Sequence, residues 1–390
     1  MATGPKDAEF LWLAARVGAT VNADSAGEIE QLAQLVRRHD LGPVRVLGRL
    51  SGFESHARHA GAGTRMLSRG SRFGTPVAEA GELWSVLEKW SEAVELVGLA
   101  YHVDTTGVEE KARALEHCVL MMDECRARGL APRVVDIGGG FGVDYVADAA
   151  EWERWTTALS EAVRGVRPPL AWRGHSYGLR NEGGTVRGTT ALYPAHRSVA
   201  GADYLDHLLS QPAPALGRPP ATLLLEHLND LYVEPGRALV DQCGLSLARV
   251  VEVRATAGGP ARLLVRLAMN AGDVSLEEHG VLVDPVLLPR EGDDVPDPAH
   301  DGPVGVHLVG NLCLEADLVT RRVVWLPRRP RPGDLLAFVN TAGYAMDFHA
   351  HRAQRQPSAR TVAVTAEGER WSWCPDEDYW PLTRAQGGPA

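Results

Sequence analysis

One glycine run carries the first chemical signal in this sequence: Val134-Val135-Asp136-Ile137-Gly138-Gly139-Gly140-Phe141-Gly142. An apolar, β-branched segment leads straight into three consecutive glycines. A turn without side chains at the end of a strand permits φ > 0 and lets backbone N–H groups close on an anion. That is the pattern of a phosphate cradle, although alone it also describes an ordinary tight turn. Upstream, Gly98-Leu99-Ala100-Tyr101-His102-Val103-Asp104-Thr105 ends an apolar run on an imidazole, with a hydroxyl three residues later. A flat imidazole at a strand end can cover a π-face. A core histidine bonded to backbone is the plainer alternative. Three segments follow downstream: Val233-Glu234-Pro235-Gly236-Arg237, Gly310-Asn311-Leu312-Cys313-Leu314-Glu315-Ala316-Asp317, and Ala342-Gly343-Tyr344. They add a carboxylate beside a guanidinium, a thiol followed by a carboxylate, and a phenol. Taken singly, they also read as a surface turn with an ion pair and as an inert thiol.

These residues need elements to position them. Up to about residue 240, strand-like and helix-like segments alternate. Candidate strands are Val44–Leu47, Leu96–Tyr101, Arg133–Ile137 and Thr222–Leu225. Amphipathic helices are expected over Ala8–Val17, Ala26–Arg37, Val77–Glu92, Val108–Ala127 and Ala149–Val163. Such alternation predicts a parallel β/α architecture. From about Leu245 the texture changes to short β-branched runs without helices: Ala248–Val253, Arg262–Leu267, Val304–Val309, Arg322–Leu326, Leu335–Val339 and Thr361–Thr365. Pro/Gly/Asp-rich turns separate them, which predicts a β domain. Residues 166–221, rich in Pro, Gly, Arg and His, break the alternation. They read either as a lid or binding loop or as a solvated insertion.

Composition narrows the function class. The 390 residues are 45% hydrophobic and 23% charged, enough for two domains with a core each. A formal charge of −10 argues against nucleic acid as a partner. No run of about 18 apolar residues occurs, so no membrane span is expected. The stretch Phe10–Val21 is interrupted by Arg16 and lacks a basic leader, unlike a signal peptide. Five cysteines without CxxC spacing suggest reduced thiols in a cytoplasmic protein, with no metal site.

In their order along the chain, these segments resemble the pyridoxal-phosphate-dependent amino-acid decarboxylases of the alanine-racemase fold, the group containing diaminopimelate and ornithine decarboxylases. The resemblance implies an α/β fold: a (β/α)8 TIM-type barrel, incomplete at its N-terminus, over residues 1–243 with an insertion at about 166–221, then a C-terminal β domain over 244–390. It implies pyridoxal 5′-phosphate as cofactor, a small-molecule amino-acid substrate, and a homodimer with shared active sites. Within that pattern His102 stacks on the pyridine ring. Arg49, at the end of Val46–Leu50, lies near the cofactor. Thr105, Gly138, Gly139, Gly140, Gly236 and Arg237 hold the phosphate, and Tyr344 caps it from the β domain. Glu234 bonds the pyridine nitrogen and keeps it protonated, which stabilises the carbanion left after CO2 departs. Racemases of this fold place an arginine there, so Glu234 favours decarboxylation. Cys313, entering from the neighbouring subunit, protonates that carbanion. Asp317 pairs across the dimer with Arg72 of Ser71-Arg72-Phe73-Gly74.

The resemblance also exposes a gap. The family's Schiff-base lysine stands at the end of the first barrel strand, and that strand precedes everything seen here. The sequence holds three lysines, Lys6, Lys89 and Lys111. Lys6 aligns with a lysine after the third strand. Lys89 and Lys111, flanked by Glu88, Glu109 and Glu110, are expected on solvated helix faces. The expectation is therefore a truncated decarboxylase, inactive as written for want of that lysine. The alternatives are a non-catalytic or regulatory relative that keeps the cofactor pocket, and a racemase-like enzyme. Two departures bear on substrate. Leu314 replaces the acidic residue that follows the cysteine in enzymes binding a distal amine, and Ala271-Gly272-Asp273-Val274-Ser275 replaces the segment that grips the distal end of diaminopimelate.

Overall fold

The computed structural model describes residues 1–53, 71–103, 107–256, 263–290, 301–347 and 353–379. The chain divides into two compact units, residues 1–144 with 197–239, and residues 145–196 with 240–390.

The first unit is the α/β one. Helix α1 (Ala8–Arg16) is capped by Asp7, whose side chain accepts from the Phe10 N–H at 2.8 Å. Strand β1 (Val21–Ala23) leads to α2 (Ala26–Arg38), capped by Ser25. Apolar residues at 29, 32, 33 and 36 give α2 one buried stripe, the 3.6-residue period of a half-buried helix. Strand β2 (Val44–Ser51), the short β3 (Thr75–Pro76), α3 (Ala80–Lys89) and β4 (Val94–Tyr101) follow. Helix α4 (Val108–Ala127) returns the chain to β5 (Val134–Asp136).

The chain then enters the second unit with α5 (Ala149–Val163) and a small hairpin, β6 (Arg180–Glu182) and β7 (Thr185–Arg187). It re-enters the first unit with α6 (Gly201–Ser210), α7 (Pro220–Glu226) and β8 (Asp230–Tyr232). The parallel sheet runs β1-β2-β4-β5-β8, with β3 beside β2. Among the described residues it is an open path of barrel-type wall. Leu11, Ile29, Leu32, Trp84, Leu99 and Val135 are fully buried in the core of this unit.

From residue 240 the second unit is built of strands: β9 (Leu245–Ala255), β10 (Leu263–Leu267), β11 (Val286–Leu288), β12 (Asp301–Val309), β13 (Val324–Arg328) and β14 (Leu335–Val339). They form one sheet, β11-β14-β9-β10-β12-β13, antiparallel except for β10 with β12. A four-residue helix α8 (Tyr344–Asp347) and the hairpin β15 (Val362–Glu367) with β16 (Arg370–Pro375) complete it. The α/β class with a separate β domain is as the sequence texture predicts. Among the described residues no helix is long and apolar enough to cross a membrane.

Two sequence expectations need correction. Thr222–Leu225 is not a strand but part of α7, opened by Pro219-Pro220; proline suits the first helical turn, and a four-residue apolar run has no period to tell helix from strand. The strand that pairs with β5 is the polar-ended β8 instead. Residues 166–221 are also not one irregular insertion. Its second half forms α6 and begins α7. Its first half belongs with the β unit because that unit satisfies its backbone: the Trp172 N–H donates to Arg321 C=O at 2.7 Å and the Val323 N–H to Leu170 C=O at 3.0 Å. Tyr177 adds a 2.7 Å bond from its hydroxyl to buried Glu277.

The β4–β5 pairing depends on one missing side chain. Gly98 lies opposite Val134, and a Cβ there would stand 2.1 Å from the Val134 carbonyl oxygen and 2.6 Å from its Cβ. Backbone is the obstacle, so no rotamer change relieves it. Gly98→Ala is expected to destabilise the protein by about 1–3 kcal/mol. An unchanged urea midpoint would contradict this packing.

Candidate active site in the α/β unit

The ends of β4, β5 and β8 bring the chemical residues together. His102 is the first residue after β4, and the glycine turn begins two residues after β5. The Ile137 N–H donates to Tyr232 C=O at 3.1 Å, and the Glu234 N–H donates to Gly138 C=O at 3.0 Å. Glu234 is thereby tied to the turn by backbone. Gly138 has φ +64° and Gly140 φ +87°. A Cβ on Gly138 would lie 2.5 Å from the Tyr101 carbonyl oxygen, and one on Gly139 would lie 2.7 Å from that of Glu234. Three segments can touch here only because the turn carries no side chains.

Hydrogen bonds then fix the turn from within. The Gly138 N–H donates to Asp136 Oδ1 at 2.9 Å. The Gly139 N–H donates to His102 Nδ1 at 3.0 Å, so this nitrogen accepts and the ring proton sits on Nε2. Two of the three glycine N–H groups are therefore engaged by side chains, a detail the sequence does not carry.

Lys111 overturns its expected place on a solvated face. It is fully buried, and its Nζ donates to the Gly139 carbonyl. The rings of Phe141 and Tyr204 lie 5.7 and 5.8 Å from that nitrogen. Burial lowers the ammonium pKa to about 8, while the Asp136 and Glu234 carboxylates oppose the shift. A usable signal was present: Lys111, Leu115, Cys118 and Met122 recur at helical spacing, and all are buried. The acidic flanks hid it. The other two lysines are committed elsewhere. Buried Lys6 is 3.1 Å from Glu28 and donates to the Asn22 carbonyl at 2.9 Å. Exposed Lys89 pairs with Glu30.

Asp136, to which the sequence alone assigns no role, is also fully buried beside the turn. Burial pushes its carboxyl pKa up to about 6 and Glu234 adds to the rise; the Gly138 N–H, Arg49 and Lys111 pull the other way. Asp136 Oδ2 and Glu234 Oε1 are both buried without a hydrogen-bond partner. Orphaned carboxylate oxygens are costly and call for a donor. Arg49, at the end of β2, lies 3.2 Å from Asp24, and its guanidinium carbon is 5.0 Å from the Phe73 ring centroid. Arg72 is exposed, 4.4 Å from the same ring. Gly236 takes φ +55° and opens the short turn in which Arg237 is buried. Thr105 lies outside the described residues.

The remaining candidates belong to the β unit. Cys313 is exposed, and its N–H donates to Gln354 Oε1 at 2.8 Å. Asp317 is buried and organises its own loop, accepting from the Ala271 N–H at 2.8 Å and the Leu312 N–H at 2.7 Å. Tyr344 opens α8 with its ring 5.8 Å from that of His279.

Residues 1–174, which contain the first part of this site, match the model of the pyridoxal-binding domain of the pyridoxal-dependent decarboxylases. The chain resembles the pyridoxal-phosphate decarboxylases of the alanine-racemase fold. The cofactor this domain takes is pyridoxal phosphate. An uncharacterized protein of Sinorhizobium fredii, y4yA, is 28% identical over 95% of this chain and 72% of its own length. A diaminopimelate decarboxylase of Actinosynnema pretiosum is 27% identical over 83% of the chain, which spans only 58% of that relative. Among solved structures, a diaminopimelate decarboxylase aligns with a TM-score of 0.63 at 16% identity, covering 96% of this chain and 73% of its own. The arginine decarboxylase of Paramecium bursaria Chlorella virus aligns at 0.57 and 17%, covering 91% and 74%. These likenesses carry the fold.

The residues present fit the cofactor. Glycines with no room for a Cβ stand beside an imidazole and a carboxylate whose Oε1 lacks a donor. A protonated pyridine nitrogen is such a donor, and Glu234 would hold it. His102 would lie against the ring, and Arg237 and the glycine turn at the phosphate.

The buried amine gives a measurable signature. Its folded-state pKa of about 8 lies below the ordinary 10.5, so between these values the unfolded chain binds more protons. Relative to Lys111→Met, the wild-type protein should gain about 3 kcal/mol of stability as pH rises through that window. Below pH 8 the difference should be constant. Parallel urea titrations of the two proteins from pH 7 to 10.5 check this, and a flat difference would place the amine in solvent.

Proposed function

We propose that this chain serves pyridoxal-phosphate-dependent decarboxylation of an amino acid. The observation that carries the reading is Glu234: its backbone is tied to the glycine turn, and its Oε1 is buried without a partner. Bound there, the cofactor supplies an electron sink for the pair released when the substrate carboxylate leaves as CO2. Glu234 holds a proton at the pyridine nitrogen, which a racemase-type arginine would not do. His102 is held by its bond to Gly139 and keeps the ring in register. Cys313 is the acid that returns a proton to the substrate carbon, and its exposed thiol supports this role. Homodimerisation, with Arg72 and Asp317 in contact across the dimer, belongs to the same reading. So does a reducing cytoplasmic setting, supported by five free cysteines. Exposed Leu314 gives no carboxylate to a distal amine, and the Ala271 N–H in the segment after Asn270 is taken by Asp317. Both features favour a substrate without a distal ammonium group.

The lysines support a second reading. Lys6 and Lys89 are paired with carboxylates, and Lys111 is turned to the Gly139 carbonyl. A non-catalytic or regulatory relative would keep the pocket and bind the cofactor without turnover.

Purified chain loaded with pyridoxal phosphate, screened against the free amino acids for CO2 release, separates the two. Release from some amino acid supports the enzyme and overturns the expectation that the chain is inactive for want of a Schiff-base lysine. Glu234→Ala should then lower kcat with little change in KM, and Cys313→Ala should lower it on the order of 10²-fold with misplaced product protonation. Cofactor binding without release from any amino acid supports the relative.

A further inference from the structure

Lys111 has no assigned role, and its position is specific. Its Nζ donates to the carbonyl of Gly139. That carbonyl and the N–H of Gly140 belong to one planar trans peptide unit, so they point in opposite directions. Fixing the carbonyl therefore fixes the N–H. It is also the one N–H of the three glycines that neither Asp136 nor His102 takes. The positive charge sits at the carbonyl end of this peptide dipole and aligns with it, which strengthens the N–H as a donor to an anion on the far side.

We propose that Lys111 is a positioning residue for a phosphate monoester, holding the Gly139–Gly140 peptide so that the Gly140 N–H faces the phosphate and placing a buried cation behind it. This rests on the cofactor reading above. The charge also answers a local need. Asp136 on β5 and Glu234 after β8 place two carboxylates at the turn, and a phosphate dianion would join them. Arg49 bears on Asp136 from β2, and Arg237 is buried in the turn after Glu234. Lys111 adds the cation that lies directly on the glycine turn.

The groups facing the amine are Asp136, Glu234, the His102 ring across Gly139, Tyr101 on β4, and Phe141 with Tyr204 of α6. Tyr101 donates its hydroxyl to the Lys111 carbonyl at 2.8 Å, and burial holds its own pKa well above 10. Asp136 titrates near pH 6. Between pH 7 and 9.5 the charge on Lys111 changes.

The test uses pyridoxine 5′-phosphate and pyridoxine as probes. Neither has an aldehyde, and the ratio of their affinities isolates the phosphate. Equilibrium dialysis against the full chain should show that ratio falling at least tenfold in Lys111→Met. In the wild-type protein it should fall as pH rises from 7 to 9.5, and in the variant it should be flat. The wild-type pH series stands even if the variant fails to fold. A ratio that is the same in both proteins, or independent of pH in the wild type, would overturn the role of Lys111 while leaving the cofactor reading intact. If neither probe binds the wild-type protein, the cofactor reading falls, and this inference with it.

Discussion

The site exists because backbone is allowed to lie against backbone. At Gly98, Gly138 and Gly139 a single methyl group would strike a carbonyl at less than 3 Å. These contacts let β4 and β5 pair closely and bring the segment after β8 onto the turn after β5. Each is a place where the fold trades side-chain contact for proximity, at the entropic cost that glycine carries in the unfolded chain. Remove the proximity and His102, Asp136, Lys111 and Glu234 become four unrelated residues on three strand ends and a helix.

Closeness then sets the electrostatics. Asp136 and Lys111 are both fully buried, and each moves the other toward its charged form while burial moves both away from it. An isolated buried amine or carboxyl would be harder to keep ionised. The arrangement resembles a buried ion network more than a salt bridge, because Lys111 bonds a carbonyl and the carboxylates act on it through space. Removing one member of such a network leaves an uncompensated buried charge, which is strongly destabilising.

Much of this was legible in the sequence, and the exceptions have physical causes. The strand–helix alternation and the later strand-only texture are period effects, and they survive folding. So do the glycine turn and the Glu-Pro-Gly-Arg segment, because their chemistry is local. Thr222–Leu225 is helix and not strand: four residues span barely one 3.6-residue turn and carry no period, and the proline pair before them opens a helix. Residues 145–196, expected within the barrel domain, join the β unit instead, because the unit depends on strand partners more than a hundred residues away, such as Arg322 opposite Ala171. The acidic sequence neighbours of Lys111 point to solvent, whereas its spatial neighbours are set by the helical stripe it shares with Leu115 and Cys118.

The scarcity of lysine has a chemical consequence for the exterior. Of the three amines that lysine supplies, two are buried, and the one at the surface, Lys89, is hydrogen-bonded to Glu30. The rest of the basic surface is arginine, whose guanidinium does not lose its proton at physiological pH. Aldehydes form imines with free amines, and lysine offers one such amine at this surface, held by Glu30. An aldehyde therefore meets fewer imine-forming side chains here than on a lysine-rich surface, and the exposed thiols of Cys243 and Cys313 are its other nucleophiles.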